Sequence, residues 1–203
     1  IITVDCGIVA FGAACEVADA DIDLIVTDHH TPGSSLPQAH AVVHPQRASV
    51  EGADASLCGA GIAFKLVQHL AARAGIGIEE VLADLDLVAI ATIADLVPLT
   101  GDNRVLVRYG LRALEQTRSV GLIALMAAAG VEAPLDAGQV AYRLAPRLNA
   151  VGRMGSAQTA LQLLLTEDPA EAQRLVELAE QLNQERRTHD RRASDQALEM
   201  LAD

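Results

Sequence analysis

Apolar positions follow two different periods along this chain, and the change of period divides it. Before residue 45 the apolar runs are short: Ile1-Ile2-Thr3-Val4, Ile22-Asp23-Leu24-Ile25-Val26-Thr27 and Ala41-Val42-Val43. Such runs, bounded by turn residues, predict strands. Asp5-Cys6-Gly7 is expected to turn and Ile8–Ala20 to form a helix, long enough for the crossover that joins two parallel strands. The second strand ends at Asp28-His29-His30, Thr31 to Ser35 is expected as a loop, and His44-Pro45 closes the third strand. After a polar stretch from Gln46 to Ser56 the pattern becomes helical. Helices are expected over Gly59–Ala74, Glu79–Leu96, Arg104–Gln116 behind an Asp102 cap, Gly121–Ala129 behind Ser119, and Ala157–Leu165 behind Ser156. Ala145 to Gly155 is expected to be irregular. Asp168-Pro169 opens a last helix with nothing to break it before Asp203, about 50 Å long at the standard rise. The expected class is α/β: a parallel sheet of βαβ units, then a helical region and a long helix.

Composition narrows the function. Hydrophobic residues make up 51% of the 203 positions, enough for a well-buried core. No apolar run approaches the roughly 18 residues of a membrane span, so no membrane partner is expected. Cys6, Cys15 and Cys58 lie far apart with no CxxC pair, which argues against a disulfide framework and a zinc site. They read as small buried hydrophobes in a reducing cytoplasm. A net charge of −12 and 2% aromatic residues without tryptophan count against a simple nucleic-acid-binding module. The charge is uneven: residues 1–138 hold 7 basic and 17 acidic residues, net −10, whereas residues 139–203 hold 8 and 10, net −2. Arg143, Arg147 and Arg153 form a stretch without an acid.

The chemistry gathers at strand ends. Ligands of parallel sheets bind beyond the carboxyl ends of the strands, and Asp5 and Asp28-His29-His30 follow the first and second strands. Neighbouring strands would set these four side chains on one rim. Mixed carboxylate and imidazole donors suit Mn²⁺, Zn²⁺ or Fe²⁺, and without a thiolate Mn²⁺ fits best. Taken alone, Asp5 reads as the cap of the helix that follows it. Asp95 lies in the apolar run Ala89 to Leu99; buried, it needs a partner or a metal, and the alternative is a helix-terminal carboxylate turned to solvent. His44, at a strand end, reads as peripheral, His69 as a core or boundary histidine, and His40 and His189 as surface residues. Gly59-Ala60-Gly61 reads as tight helix packing rather than a phosphate loop.

Val4-Asp5-Cys6-Gly7, Thr27-Asp28-His29-His30, Ala91-Thr92-Ile93-Ala94-Asp95-Leu96-Val97-Pro98-Leu99 and Ala145-Pro146-Arg147-Leu148-Asn149-Ala150-Val151-Gly152-Arg153-Met154 resemble, in order, successive motifs of the DHH phosphoesterases. The last is most similar to the branch of bacterial single-strand exonucleases, and the resemblance covers nearly the whole chain. It implies metal ligation by Asp5, His29 and Asp95, with Asp5 bridging two Mn²⁺ (or Mg²⁺) ions. It implies catalytic roles for Asp28, which would orient the histidines, and His30, nearer the scissile phosphate. Arg147, Asn149 and Arg153 would hold substrate phosphates; read from the residues alone, the two arginines pair equally well with the domain's acids.

The resemblance further implies a metal-dependent hydrolase degrading single-stranded DNA from the 5′ end in repair and recombination. Its partners would be single-stranded DNA, a single-strand-binding protein and a repair helicase. Residues 1–165 would be the phosphoesterase core, without an aspartate pair expected upstream of Ile1, and 166–203 a helix leading to a further domain. Two alternatives stay open: a phosphodiesterase of oligonucleotides or cyclic dinucleotides, and a non-catalytic scaffold at replication forks.

Overall fold

The computed structural model describes residues 1–47 and 56–202, and the polar stretch expected at 46–56 falls largely outside them. The chain forms two compact units, Ile1–Leu114 and Glu115–Asp203.

The first unit is built on a parallel sheet of β1 (Ile2–Val4), β2 (Ile25–Thr27) and β3 (Ala41–Val43), in that spatial order. Thr3 stands opposite Val26, and Val26 opposite Val42. The parallel βαβ arrangement expected from the sequence is present, with helix α1 (Phe11–Asp19) as the crossover. That helix starts three residues later than expected because Ile8 is pinned first. Its side chain is fully buried, and its N–H is donated to Asp28 Oδ2 at 2.9 Å.

Helices α2 (Gly59–Ala74), α3 (Ile78–Leu82), α4 (Leu85–Ala94) and α5 (Gly101–Glu115) follow. The single helix expected over Glu79–Leu96 is two, broken at Ala83-Asp84. On both sides of the break Val81, Leu85 and Val88 enter one core with Leu57, Ile62, Phe64, Ala71 and Leu106. Asp102 is not the cap of α5 but lies in its first turn, where Lys65 Nζ reaches it at 2.8 Å.

The second unit contains α6 (Val120–Ala129), a short α7 (Ala137–Gln139), α8 (Ala145–Met154), α9 (Ala157–Leu165) and α10 (Pro169–Ala202). Ser119, Ser156 and Asp168 accept main-chain N–H bonds at the starts of α6, α9 and α10, as their positions before the apolar runs implied. The segment expected to be irregular is helical. A wide π turn (Val140–Leu144) runs directly into α8. Proline lacks the N–H of a helical turn and crowds the carbonyl four residues back; the widened turn just before Pro146 absorbs it. Burial of Ala145, Ala150 and Val151 against the rest of the unit then holds the helix. In α10, Ala172, Leu175, Val176, Ala179 and Asn183 are buried, whereas 187–201 are exposed on every face.

Candidate metal centre

The ends of β1 and β2 and the end of α4 meet on one rim of the first unit. Asp5 directly follows β1 and donates its N–H to the Thr27 carbonyl at 3.0 Å, extending the ladder by one residue. Its backbone then turns left-handed, φ 63°, a conformation that aspartate adopts more readily than most residues. Thr3 Oγ1 closes the turn by donating to the Cys6 carbonyl at 2.8 Å. The side chain thus leaves the strand line and points along the rim. No capping role remains for it, since α1 begins after Ala10.

Asp28 follows β2 and is almost completely buried. Its N–H is donated to the Val43 carbonyl at 3.2 Å. Its Oδ1 accepts from the N–H of His29 at 2.8 Å and of His30 at 3.2 Å, and meets His30 Nδ1 at 2.7 Å. Its Oδ2 accepts from Ile8. Burial pushes this carboxyl up, but the bonds from Ile8, His30 and His29 outweigh burial and bring its pKa down to about 2. Held as an anion, it fixes the His30 ring with Nδ1 inward and raises that imidazole's pKa above its ordinary value; the bond from Asp28 is the main cause, burial opposes it, and the charges of Asp28, Asp5 and Asp95 add to it.

His29 Nε2 lies 3.0 Å from Asp5 Oδ1 and 3.6 Å from Asp95 Oδ2. Asp95 is the C-terminal cap of α4, its N–H donated to Ala91 at 2.9 Å. It therefore combines the two readings open in the sequence: half-exposed at a helix end, yet directed at a partner. One ligand atom from each of Asp5, His29 and His30 falls within 4.8 Å of the others, and the His29 and His30 rings stand 4.5 Å apart. The Asp5 carboxylate and two imidazoles cluster, with Asp95 beside His29; mixed oxygen and nitrogen donors of this kind suit a divalent ion of the manganese type. Both Asp28 oxygens are taken by hydrogen bonds, Oδ2 from Ile8 and Oδ1 from the His29 and His30 segment.

Two residues given bland readings in the sequence touch this site. Gly59 opens α2 against Asp5: a Cβ built on it would fall 2.5 Å from Asp5 Cβ and Cγ. His44 is buried, with Nε2 2.8 Å from the His30 carbonyl oxygen. No sequence pattern marks either contact. His69, expected in the core or at its boundary, is exposed, whereas His40 stands at the surface as expected, 3.6 Å from Asp23. Cys58 is buried as expected, its Sγ accepting the Gly61 N–H at the start of α2. Cys6 and Cys15, expected to be buried, are exposed.

The three candidate phosphate residues sit on α8 in the second unit, and the helix separates them. Asn149 and Arg153, four apart, share an exposed face. Arg147 points elsewhere: its guanidinium pairs with Glu180 of α10, Nε to Oε1 and Nη2 to Oε2, and Nη1 donates to the Arg143 carbonyl at 2.6 Å.

Residues 1–92 match the DHH family, N-terminal domain. These residues carry the family's N-terminal domain. The chain is 42% identical over 204 residues to the single-stranded-DNA-specific exonuclease RecJ of Bacillus subtilis, covering 99% of this chain and 25% of that protein. It is 44% identical over 187 residues to the RecJ exonuclease of Thermus thermophilus, covering 92% of this chain and 27% of that one. Among solved structures, RecJ from Thermus thermophilus in complex with Mn²⁺ superposes with a TM-score of 0.83 at 44% identity, over 92% of this chain and 28% of that one. An exonuclease RecJ bound to manganese superposes at 0.88 and 42%, over 98% of this chain and 50% of that one. The chain thus spans about a quarter of the length of these two curated relatives.

Proposed function

We propose that this chain is the metal-bearing core of a single-stranded-DNA-specific exonuclease that hydrolyses phosphodiester bonds from the 5′ end. One observation carries the reading: His29 Nε2 lies between carboxylate oxygens of Asp5 and Asp95, with His30 in the same cluster. Likeness to RecJ exonucleases, two of them solved with manganese, supports both the substrate and the ion.

In this reading Asp5, His29 and Asp95 hold divalent ions, Mn²⁺ or Mg²⁺. Such ions, when bound, lower the pKa of a coordinated water and offset charge on the phosphate. Asp28 keeps the His30 ring and the amides of residues 29 and 30 in place, and His30 offers its outer nitrogen to the phosphate side of the cluster. Asn149 and Arg153 take substrate phosphates from the exposed face of α8. A share for Arg147 requires its pair with Glu180 to open. Residues 1–165 act as the phosphoesterase core, and the part of α10 beyond residue 187, unpacked along its length, connects to a further domain. A single-strand-binding protein and a helicase are the partners that would present such a substrate.

Calorimetric titration of manganese into the native chain, Asp5→Ala and His29→Ala tests the site, with degradation of 5′-labelled single-stranded DNA as the second readout. Saturable binding lost in both variants is the expected result. Absence of binding by the native chain overturns the metal reading.

A further inference from the structure

His44 is the first residue after β3, and only 5% of it is exposed. Its Nδ1 receives the main-chain N–H of Gln46 at 3.3 Å. A main-chain amide can only donate, so Nδ1 is the bare nitrogen of a neutral ring and Nε2 carries the proton. Nε2 donates that proton to the His30 carbonyl at 2.8 Å. Both ring nitrogens are thus committed, one to its own turn and one to the Asp-His-His segment.

The place of this bond matters. The last main-chain link between β2 and β3 is the Asp28 N–H to the Val43 carbonyl. The bond from His44 to His30 repeats that link two residues further on, where the backbone of the strands has already parted. His30 is also held by its N–H and its ring, but both of those bonds end on Asp28, within the same tripeptide. The carbonyl tie is the contact, among those described, that anchors His30 to another strand.

We infer that His44 is a positioning residue of the metal centre: as a neutral Nε2–H donor it holds the His30 main chain, so that the His30 imidazole stays with Asp5 and His29. The inference rests on the metal reading above. Outer partners of this kind commonly change metal affinity by about 10- to 100-fold when removed. The tie here acts through the backbone, so the lower end is expected.

Side-chain isosteres separate positioning from mere filling. His44→Gln places an amide N–H near the position of Nε2 and restores the donor to His30. His44→Asn places an oxygen near Nδ1, preserving the bond from Gln46 but not the one to His30. Manganese affinity by calorimetry is expected to fall about tenfold in His44→Asn and to stay near native in His44→Gln, with folding checked by thermal unfolding. Native-like affinity in His44→Asn, or equal loss in both variants, overturns the assignment. A readout independent of metal accompanies it: imidazole ¹⁵N spectra of the metal-free chain. These are expected to show His44 as the neutral Nε2–H form, and His30 signals displaced in His44→Asn but not in His44→Gln. A proton on Nδ1 of His44, or unmoved His30 signals, overturns the inference. Failure of the native chain to bind manganese defeats the metal reading instead, and the spectra then decide whether His44 positions His30.

Discussion

Gly59 and Asp5 are matched across the gap between α2 and the end of β1, the absent Cβ of one making room for the carboxylate of the other. Asp5 is already held in a left-handed backbone by its bond to Thr27 and by the turn that Thr3 closes. Moving its Cβ away from α2 strains the bond to Thr27. Gly59→Ala is therefore expected to displace the carboxylate and weaken manganese binding at least about tenfold, even though alanine favours the helix itself by about 1 kcal/mol. Calorimetry together with thermal unfolding checks both halves; native affinity in Gly59→Ala would show that Asp5 is not held there.

Asp28 should be the costliest single carboxylate to remove. Asp28→Ala leaves the N–H groups of Ile8, His29 and His30 without their acceptor in a buried setting. The expected loss is about 2–4 kcal/mol in urea unfolding. A loss below about 1 kcal/mol would mean that water replaces the carboxylate freely.

The same residue sets an acid limit. Its pKa in the folded chain, about 2, lies below the ordinary 3.8. The stability this contributes is complete above the ordinary value and is lost as pH falls through about 2. A shift of this size corresponds to about 2 kcal/mol. In the metal-free chain the stability advantage of native over Asp28→Asn should shrink by about that amount between pH 5 and pH 2. His30 runs the other way: its pKa is raised from 6.5, so its contribution is present below that value and fades as pH rises through the raised one. NMR titration should place His30 above 6.5, with Asp28→Asn returning it towards the ordinary value.

Arg147 and Arg153 should separate experimentally. Arg147→Ala breaks the pair with Glu180 and the bond to the Arg143 carbonyl, and is expected to cost about 1–2 kcal/mol in stability. Arg153→Ala, on the exposed face, is expected to leave stability within about 0.5 kcal/mol while weakening single-stranded DNA binding. Thermal unfolding and fluorescence anisotropy with a labelled oligonucleotide measure the two effects. Equal losses of stability would place Arg153 in a buried pair as well.

Manganese should stabilise the folded chain by mass action. At one hundred times the dissociation constant the gain is about 2.7 kcal/mol. A rise in melting temperature in the native chain, reversed by chelator and absent from Asp5→Ala and His29→Ala, is the expected outcome. An equal rise in the variants would assign the effect to other carboxylates.

Much of the site was readable from local chemistry. Short β-branched runs ending in Asp5 and in Asp28-His29-His30 required a rim of carboxylates and imidazoles, because parallel strands present their carboxyl ends on one side. The helix starts at Ser119, Ser156 and Asp168 were equally legible, since a cap acts within three residues of itself. Tertiary structure alone decided the rest. The Gly59–Asp5 fit spans 54 positions, the Arg147–Glu180 pair 33 and the His44–His30 bond 14. None of these contacts leaves a periodic trace. The helix over Ala145–Met154 was hidden for a related reason: its local residues argue against helix, and what stabilises it is burial against distant helices. Sequence by itself determined which side chains could bind a cation and on which strand ends they stand. Only packing determined which glycine and histidine, remote along the chain, stand against that segment, and which acid pairs with Arg147.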